Sequence, residues 1–556
     1  KKSAIQLNVE KELPLSLQDI PRLDETTYKY LGFEMMKGEI ERKKMMVKLE
    51  ERIKEKLEEP MTRVGVFETR NWIHYINQNV MSVIRFYSGP VKFTLGWLDR
   101  IDRMIRQHLT SQGLLMKRGM ATSRLYMMPD DMGLGLKSCI GVYLLELVRL
   151  LLQYKWGTIF RQEWFWRMEE LTKRNGKGIW MREIEKCIRR FNSSLEWLMG
   201  RIGMREEEIE RIRQREEMDE TEKNQMLRAQ RMKSIADVLE DVEALINTHF
   251  FDEFSKTKSS TFLKRITENQ KMIDLRLLKK TWRTLNCTPK TMKVIREIQE
   301  NLLCVGRRKE LITKKKAETQ CWCSKSGMTL NAKHIVSSCR KVAREINTRH
   351  DIVVNILLNN ILRQRDLIAR EQRWEDRKMV RTPSDEITIG TEHWRSEEWK
   401  EKGRVAGAKL KPDLVWLRRD NGGEWRKVVV DVKVTSTDKM DEAFMEKDTK
   451  YREWTTIETR EKKVAKAVMV PLIVSHDGAV HKETVRRWKD FAPDIEVDWV
   501  RMAQNVLRYN VVIVGKFFNK GSWVSEAWTK EHPEELNDEP EGPQQECLQP
   551  KSEERG

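Results

Sequence analysis

Up to about residue 370 the apolar residues recur mostly at helical spacing, three or four positions apart. Beyond it they alternate with polar ones or gather in short β-branched blocks. The first texture predicts helices and the second predicts strands. The N-terminus departs from this. Residues 1–45 read as a mixed β region ending in YKYLGFEMMKGEI, where Tyr28, Tyr30 and Phe33 suit a strand and Gly32 suits a bend. From Glu41 to Leu57 the apolar positions are sparse and helically spaced. Asn71 to Leu109 reads as long helices broken near Ser88-Gly89-Pro90. MMPDDMGLGLKS, from Met127 to Ser138, is a glycine-containing loop, and an apolar helix follows over Ile140–Tyr154.

Residues 155–310 are mostly helical and highly charged. The run from Met204 to Ser234 has few large apolar residues and reads as a solvated helix, best taken as an exposed spacer. ADVLEDVEALINTHF regains an amphipathic pattern. TPKTMKVIREIQENLL has a cap-like Thr288 before Pro289 and a clear apolar stripe. A further helix is expected over roughly Asp351–Arg370.

Four strands are then expected: LKPDLVWL, WRKVVVDVKV, KAVMVPLIVS and YNVVIVGKFF. DEAFMEKDTKYREWTTIETREKK and HKETVRRWKDFA are helices between them. Together they predict a compact α/β unit over residues 371–530.

Within this unit Val428, Val430, Val432 and Val434 share one face of a strand, and Val429, Asp431 and Lys433 share the other. Charges in so apolar a strand are costly unless they pair or bind metal. Asp413 starts the partner strand, and Asn421-Gly422 would turn the two strands together. Two carboxylates meeting at one point can hold a divalent cation that activates water, and a lysine beside them can stabilise charge on a phosphate. Lys447 and Lys450 lie on the next helix, three apart and so on one face. The competing reading is a hairpin in which Lys433 pairs with Asp413 or Asp431.

The chain has 556 residues, a net charge of +19 and 39% hydrophobic residues. That length suggests several domains, and the apolar content excludes a wholly disordered protein. Glu531–Gly556 holds nine acidic and two basic residues and reads as a disordered tail, so the rest of the chain is more basic still. Such an excess favours a polyanionic partner, nucleic acid first. No run approaches the ~20 apolar residues of a membrane span, so no membrane partner is expected. The chain begins Lys-Lys-Ser, without methionine, and reads as a fragment or a processed product.

The eight cysteines are mostly isolated, which points to a reducing compartment. Cys321, Cys323, His334 and Cys339 form the exception. Three thiolates and an imidazole make a structural zinc set, with Cys304 as a substitute ligand. The alternative is buried cysteines unrelated to metal. The preceding Lys314, Lys315 and Lys316 are candidate nucleic-acid contacts, and Trp322 is a candidate for stacking on bases.

In this order, the pieces resemble the C-terminal part of a Pol polyprotein of a site-specific non-LTR retrotransposon with a restriction-like endonuclease. KKSA and YKYLGF resemble the end of a reverse transcriptase palm. LDRIDRMIRQHL and MMPDDMGLGLKS, with Gly133 and Gly135, resemble its thumb. The cysteine–histidine cluster followed by Arg349, His350 and Asp351 resembles the zinc knuckle and its helix. KPD, DVK and KDTKY resemble the endonuclease motifs.

The resemblance implies a multidomain α+β protein: palm end at 1–45, thumb at 46–165, charged helical linker at 166–310, zinc knuckle with its helix at 311–370, a PD-(D/E)xK restriction-like nuclease at 371–530, and the acidic tail. It implies Mg²⁺ on Asp413 and Asp431, a catalytic lysine among Lys433, Lys447 and Lys450, structural Zn²⁺, and nucleic-acid contacts from Arg349 and Tyr451. It further implies a nuclear protein that binds element RNA and nicks chromosomal target DNA, often ribosomal DNA in this family, to prime reverse transcription. The polymerase's aromatic-x-Asp-Asp pair is absent, and Asp130-Asp131 lies on the wrong side of YKYLGF, so this chain is not expected to polymerise by itself. The alternatives are an inactive RNA- or DNA-binding protein with a nuclease-like fold and a helical scaffold with a zinc module.

Overall fold

The computed structural model describes residues 28–518, apart from 31–32, 37–38, 64–67, 115–119, most of 158–178, 216–218, 318, 322, 324–327, 368–378, 395–408, 421 and 462. The expectations for residues 1–27, Trp322, Asn421 and the acidic tail lie outside the described residues. The molecule is a mixed α+β protein, mainly helical, with a five-stranded sheet toward its C-terminal end.

The N-terminal β texture becomes an antiparallel meander of β1 (Tyr28–Tyr30), β2 (Phe33–Met36) and β3 (Glu39–Ile40). The helix Arg42–Arg63 follows. Its buried residues Met45, Leu49, Ile53 and Leu57 are four apart, so even a sparse apolar set forms a stripe. The expected break near Gly89 separates the helices Met81–Tyr87 and Leu95–Ser111, the second capped by the Thr94 hydroxyl. In the loop after Met127, a Cβ at Gly133 would stand 2.0 Å from the Met127 carbonyl oxygen, so only glycine fits. Asp130 and Asp131 are bound to Arg283 and Asn247 respectively.

The charged run from Met204 is largely solvated, as expected, but it packs through Ile209, Ile212 and Leu227, which are buried. It divides between two helices, Leu195–Arg213 and Glu220–Ser255, which pack on each other. The longer one also packs on the helix Cys139–Lys155, and Leu227, Val238, Val242 and Phe254 are buried. Few large apolar residues suffice because partner helices supply the rest of the core.

A buried ionic network joins this helical body to the C-terminal unit. Arg124 and Arg296 both pair with Glu300, at 3.0 and 3.3 Å. Arg265 and Thr437 hold Asp477, beyond the last strand, at 3.1 and 2.7 Å.

The short hairpin of β4 (Gln320–Cys321) and β5 (Met328–Thr329) precedes the C-terminal unit. In that unit β6 (Met379–Arg381) and β7 (Asp385–Ile389) come first, then a two-stranded ribbon of β8 (His393–Trp394) and β9 (Lys409–Leu410). The sheet is completed by β10 (Leu414–Arg419), β11 (Trp425–Thr435) and β12 (Lys466–Ser475), in the order β12-β11-β10-β7-β6. Its pairs are antiparallel except β11 with β12. That parallel pair needs a long crossover, which the helix Met440–Arg460 supplies. Pro471, opposite Asp431, lies in an edge strand, where a missing N–H is tolerated.

YNVVIVGKFF, expected as a strand, is the second half of the helix Trp499–Phe517. It is apolar on nearly every side because it is buried against β12 and the helices Leu275–Thr284, Pro289–Gln299 and Ala343–Gln364. Each β-branched residue costs a helix only a few tenths of a kcal/mol, and burial outweighs that. The helix Ala343–Gln364 also joins the core on the Val428, Val430 and Val432 face, so the sheet's packing unit begins well before residue 371.

Candidate active site and metal centre

The alternation expected in β11 is present. Val428, Val430 and Val432 face one core, while Val429 packs with Tyr451 and Trp454 of the crossover helix on the other side. Asp431 points to this second side. The β10–β11 register pairs Leu414 with Val430, so one step further Asp413 comes opposite Asp431. The connecting loop spans Asp420–Glu424: the Asp420 carboxylate accepts from the amides of Gly422 and Glu424, each at 3.0 Å, and Gly423 carries the positive φ of 81°.

Asp431 is only 4% exposed. Its Oδ1 receives Lys447 Nζ at 2.8 Å. Lys450 Nζ stands 3.5 Å from Oδ2, but that oxygen is buried and accepts no hydrogen bond. Burial raises the Asp431 pKa, and the charge of Asp413 adds to this against the pull of Lys447. Asp413 goes the other way: burial opposes its ionisation, but the hydrogen bond and charge of His350 outweigh that and lower it. Asp413 Oδ2 accepts from Val432 N at 2.6 Å and from His350 Nε2 at 3.1 Å. His350 Nδ1 lies 2.9 Å from Asp351 Oδ1. Burial alone would depress His350, yet its two carboxylate partners push its pKa up to about 10, so it is a cation at neutral pH.

Three expected residues sit elsewhere than the sequence suggested. Lys433 pairs with the exposed Glu446 at 2.5 Å and stays off both aspartates, because the alternation carries it one step along the strand, past the carboxylates. Arg349 is 1% exposed, bound through Nη1 to Asn510 Oδ1 at 2.5 Å, and burial lowers its pKa to about 9. It is a core residue and offers nothing to a nucleic acid. Tyr451, fully buried, packs beneath the carboxylates and receives Lys450 Nζ on its hydroxyl at 2.9 Å. The sequence had placed His350 next to the zinc ligands and had given it no part at the carboxylates; only the helix packing brings it there.

The cysteine–histidine residues do come together. The ligand atoms of Cys321, Cys323, His334 and Cys339 all lie within 4.8 Å of one another, and this set could hold a zinc ion. Cys321 Sγ and Cys339 Sγ are 3.8 Å apart, and Cys323 Sγ is 3.3 Å from His334 Nε2. The hairpin β4–β5 presents Cys321, and the Asn331-capped helix Ala332–Ser338 presents His334. Cys304 is exposed and outside the set. Lys314, Lys315 and Lys316 are exposed just before it.

No described helix is long and apolar enough to cross a membrane. Compared with known proteins, the chain matches no family model and no curated sequence.

Proposed function

We propose that the chain is the C-terminal part of a retroelement Pol polyprotein, of the site-specific non-LTR kind, and that its sheet carries a metal-dependent DNA endonuclease of the restriction-like fold. The observation that carries this reading is the convergence of Asp413, Asp431 and Lys447, with Asp431 Oδ2 buried, accepting no hydrogen bond and facing Lys450 Nζ at 3.5 Å. A buried acceptor without a hydrogen bond is costly, and a cation held by the two carboxylates would satisfy it more fully than the Lys450 ammonium does. Asp413 and Asp431 are therefore the residues that would hold Mg²⁺, which when bound polarises a phosphodiester and acidifies water. Lys447 pulls the Asp431 pKa down against its burial and offers an ammonium to charge developing on the phosphate. Lys433 has no part in this chemistry. The nick would leave a 3′ hydroxyl to prime copying of element RNA in the nucleus.

The cysteine–histidine set would hold a structural zinc, and the exposed lysines beside it would bind nucleic acid through phosphates. Residues 1–45, with their β-meander, would be the end of a reverse transcriptase palm, and the helices of 46–165 its thumb.

One observation favours a second reading, an inactive binding protein. His350, Lys447 and Lys450 already face Asp351, Asp413 and Asp431, so the cluster is balanced in charge. Incubating the whole chain with supercoiled plasmid and Mg²⁺ separates the two. Nicking that disappears in Asp413→Ala and Asp431→Ala supports the endonuclease. Equal inertness of all three folded proteins on DNA carrying the element's insertion site favours the binding protein.

A further inference from the structure

We infer that His350 is a positioning residue for Asp413, holding that carboxylate in the orientation a divalent cation requires; the inference rests on the endonuclease reading. Asp413 lies just before β10, outside the ladder, with its backbone carbonyl fixed by Gly390 N at 3.0 Å. Strand register brings Asp413 beside Asp431, but the orientation of its carboxylate depends on donors from outside its own strand. Oδ2 has two, Val432 N at 2.6 Å from the neighbouring strand and His350 Nε2 at 3.1 Å from the helix Ala343–Gln364.

The imidazole is itself fixed. Its Nδ1 is held by Asp351 Oδ1 at 2.9 Å. The helix cannot turn on its axis without exposing Arg349, Val353 and Val354, all buried. Asp351, His350 and Asp413 therefore form a carboxylate–imidazole–carboxylate chain reaching from a packed helix to the site. Outer partners of this kind set the geometry of ligating groups, and losing one typically costs 10–100-fold in metal affinity or activity.

The test uses Mn²⁺ alone as the probe. Binding to the zinc-loaded full chain is followed by the electron paramagnetic resonance of free Mn²⁺, and the component that disappears in Asp413→Ala defines the site. In His350→Ala that component should weaken by about 10–100-fold. His350→Gln, whose amide nitrogen can still donate to Asp413, should recover most of it. Asp351→Asn should give a smaller loss, and with the Gln variant it carries the test if His350→Ala does not fold. Unchanged Mn²⁺ affinity in folded His350→Ala overturns the inference and leaves the endonuclease reading standing. Equal loss in the Ala and Gln variants also overturns it, because the residue then supports structure alone. A wild-type chain without any Asp413-dependent Mn²⁺ site overturns both.

Discussion

Lys447 Nζ lies 2.8 Å from Asp431 Oδ1, although sixteen residues and a change from strand to helix separate the two in sequence. Lys433, two positions from Asp431 on its own strand, reaches Glu446 instead. If the site cleaves DNA, the working lysine is therefore on the crossover helix. Lys447→Ala is expected to lower the nicking rate by about 10²-fold or more, the scale of losing one preorganised donor of transition-state charge. Lys433→Ala should leave the rate near wild type. Single-turnover nicking at saturating Mg²⁺ compares them, and equal losses in both variants would reject the assignment.

Zinc content provides a second check. Cys321, Cys323, His334 and Cys339 meet within 4.8 Å, and Cys304 stands apart. Elemental analysis of the purified chain should find zinc in the wild type and in Cys304→Ser. Cys339→Ser and His334→Ala should lose it. Chelation of the wild type should lower the melting temperature, since structural zinc contributes folding energy directly. Retention of zinc in Cys339→Ser would show that this set is not the site.

Asp385 gives a pH dependence with a definite sign. Burial opposes its ionisation, but hydrogen bonds from Arg365, Ser384 and the Trp416 indole outweigh that and hold its pKa below the ordinary 3.8. A depressed folded pKa contributes stability above the unfolded value and loses it as pH falls through the folded one. Asp385→Asn should thus cost about 1.5–3 kcal/mol near neutral pH, the scale for losing hydrogen bonds to a charged group. The gap to wild type should narrow only below about pH 4. Unfolding curves of both proteins across this range test it, and a constant gap down to about pH 2 would contradict the assignment.

Basic residues divide between surface and core. Replacing the exposed Lys314, Lys315 and Lys316 by alanine should weaken nucleic-acid binding about equally for all sequences. The salt slope should fall by about 1 for each phosphate that a lysine no longer neutralises. Arg349→Ala should act instead on stability, because it removes a buried guanidinium bound to Asn510. Binding isotherms at several salt concentrations, beside thermal melts, separate the two effects.

Local pattern by itself determined a good deal. Period-2 alternation put Asp431 on the opposite face from Val430 and Val432, and hairpin register put Asp413 beside it, because both follow from backbone geometry over a few residues. The spacing of Cys321, Cys323, His334 and Cys339 was legible for the same reason: a hairpin and one helical turn suffice to gather them. The tertiary structure decided what depends on packing between distant segments. Tyr509–Phe518 reads as a strand until its neighbours bury it on nearly all sides as a helix. Lys433 and Lys447 are equal candidates until the crossover helix docks. Arg349 and His350 are adjacent in sequence, yet packing sends one to the core and the other to Asp413. Residues one apart on a helix point about 100° from each other, so only the packing of Ala343–Gln364 against the sheet could say which of the two would face the carboxylates.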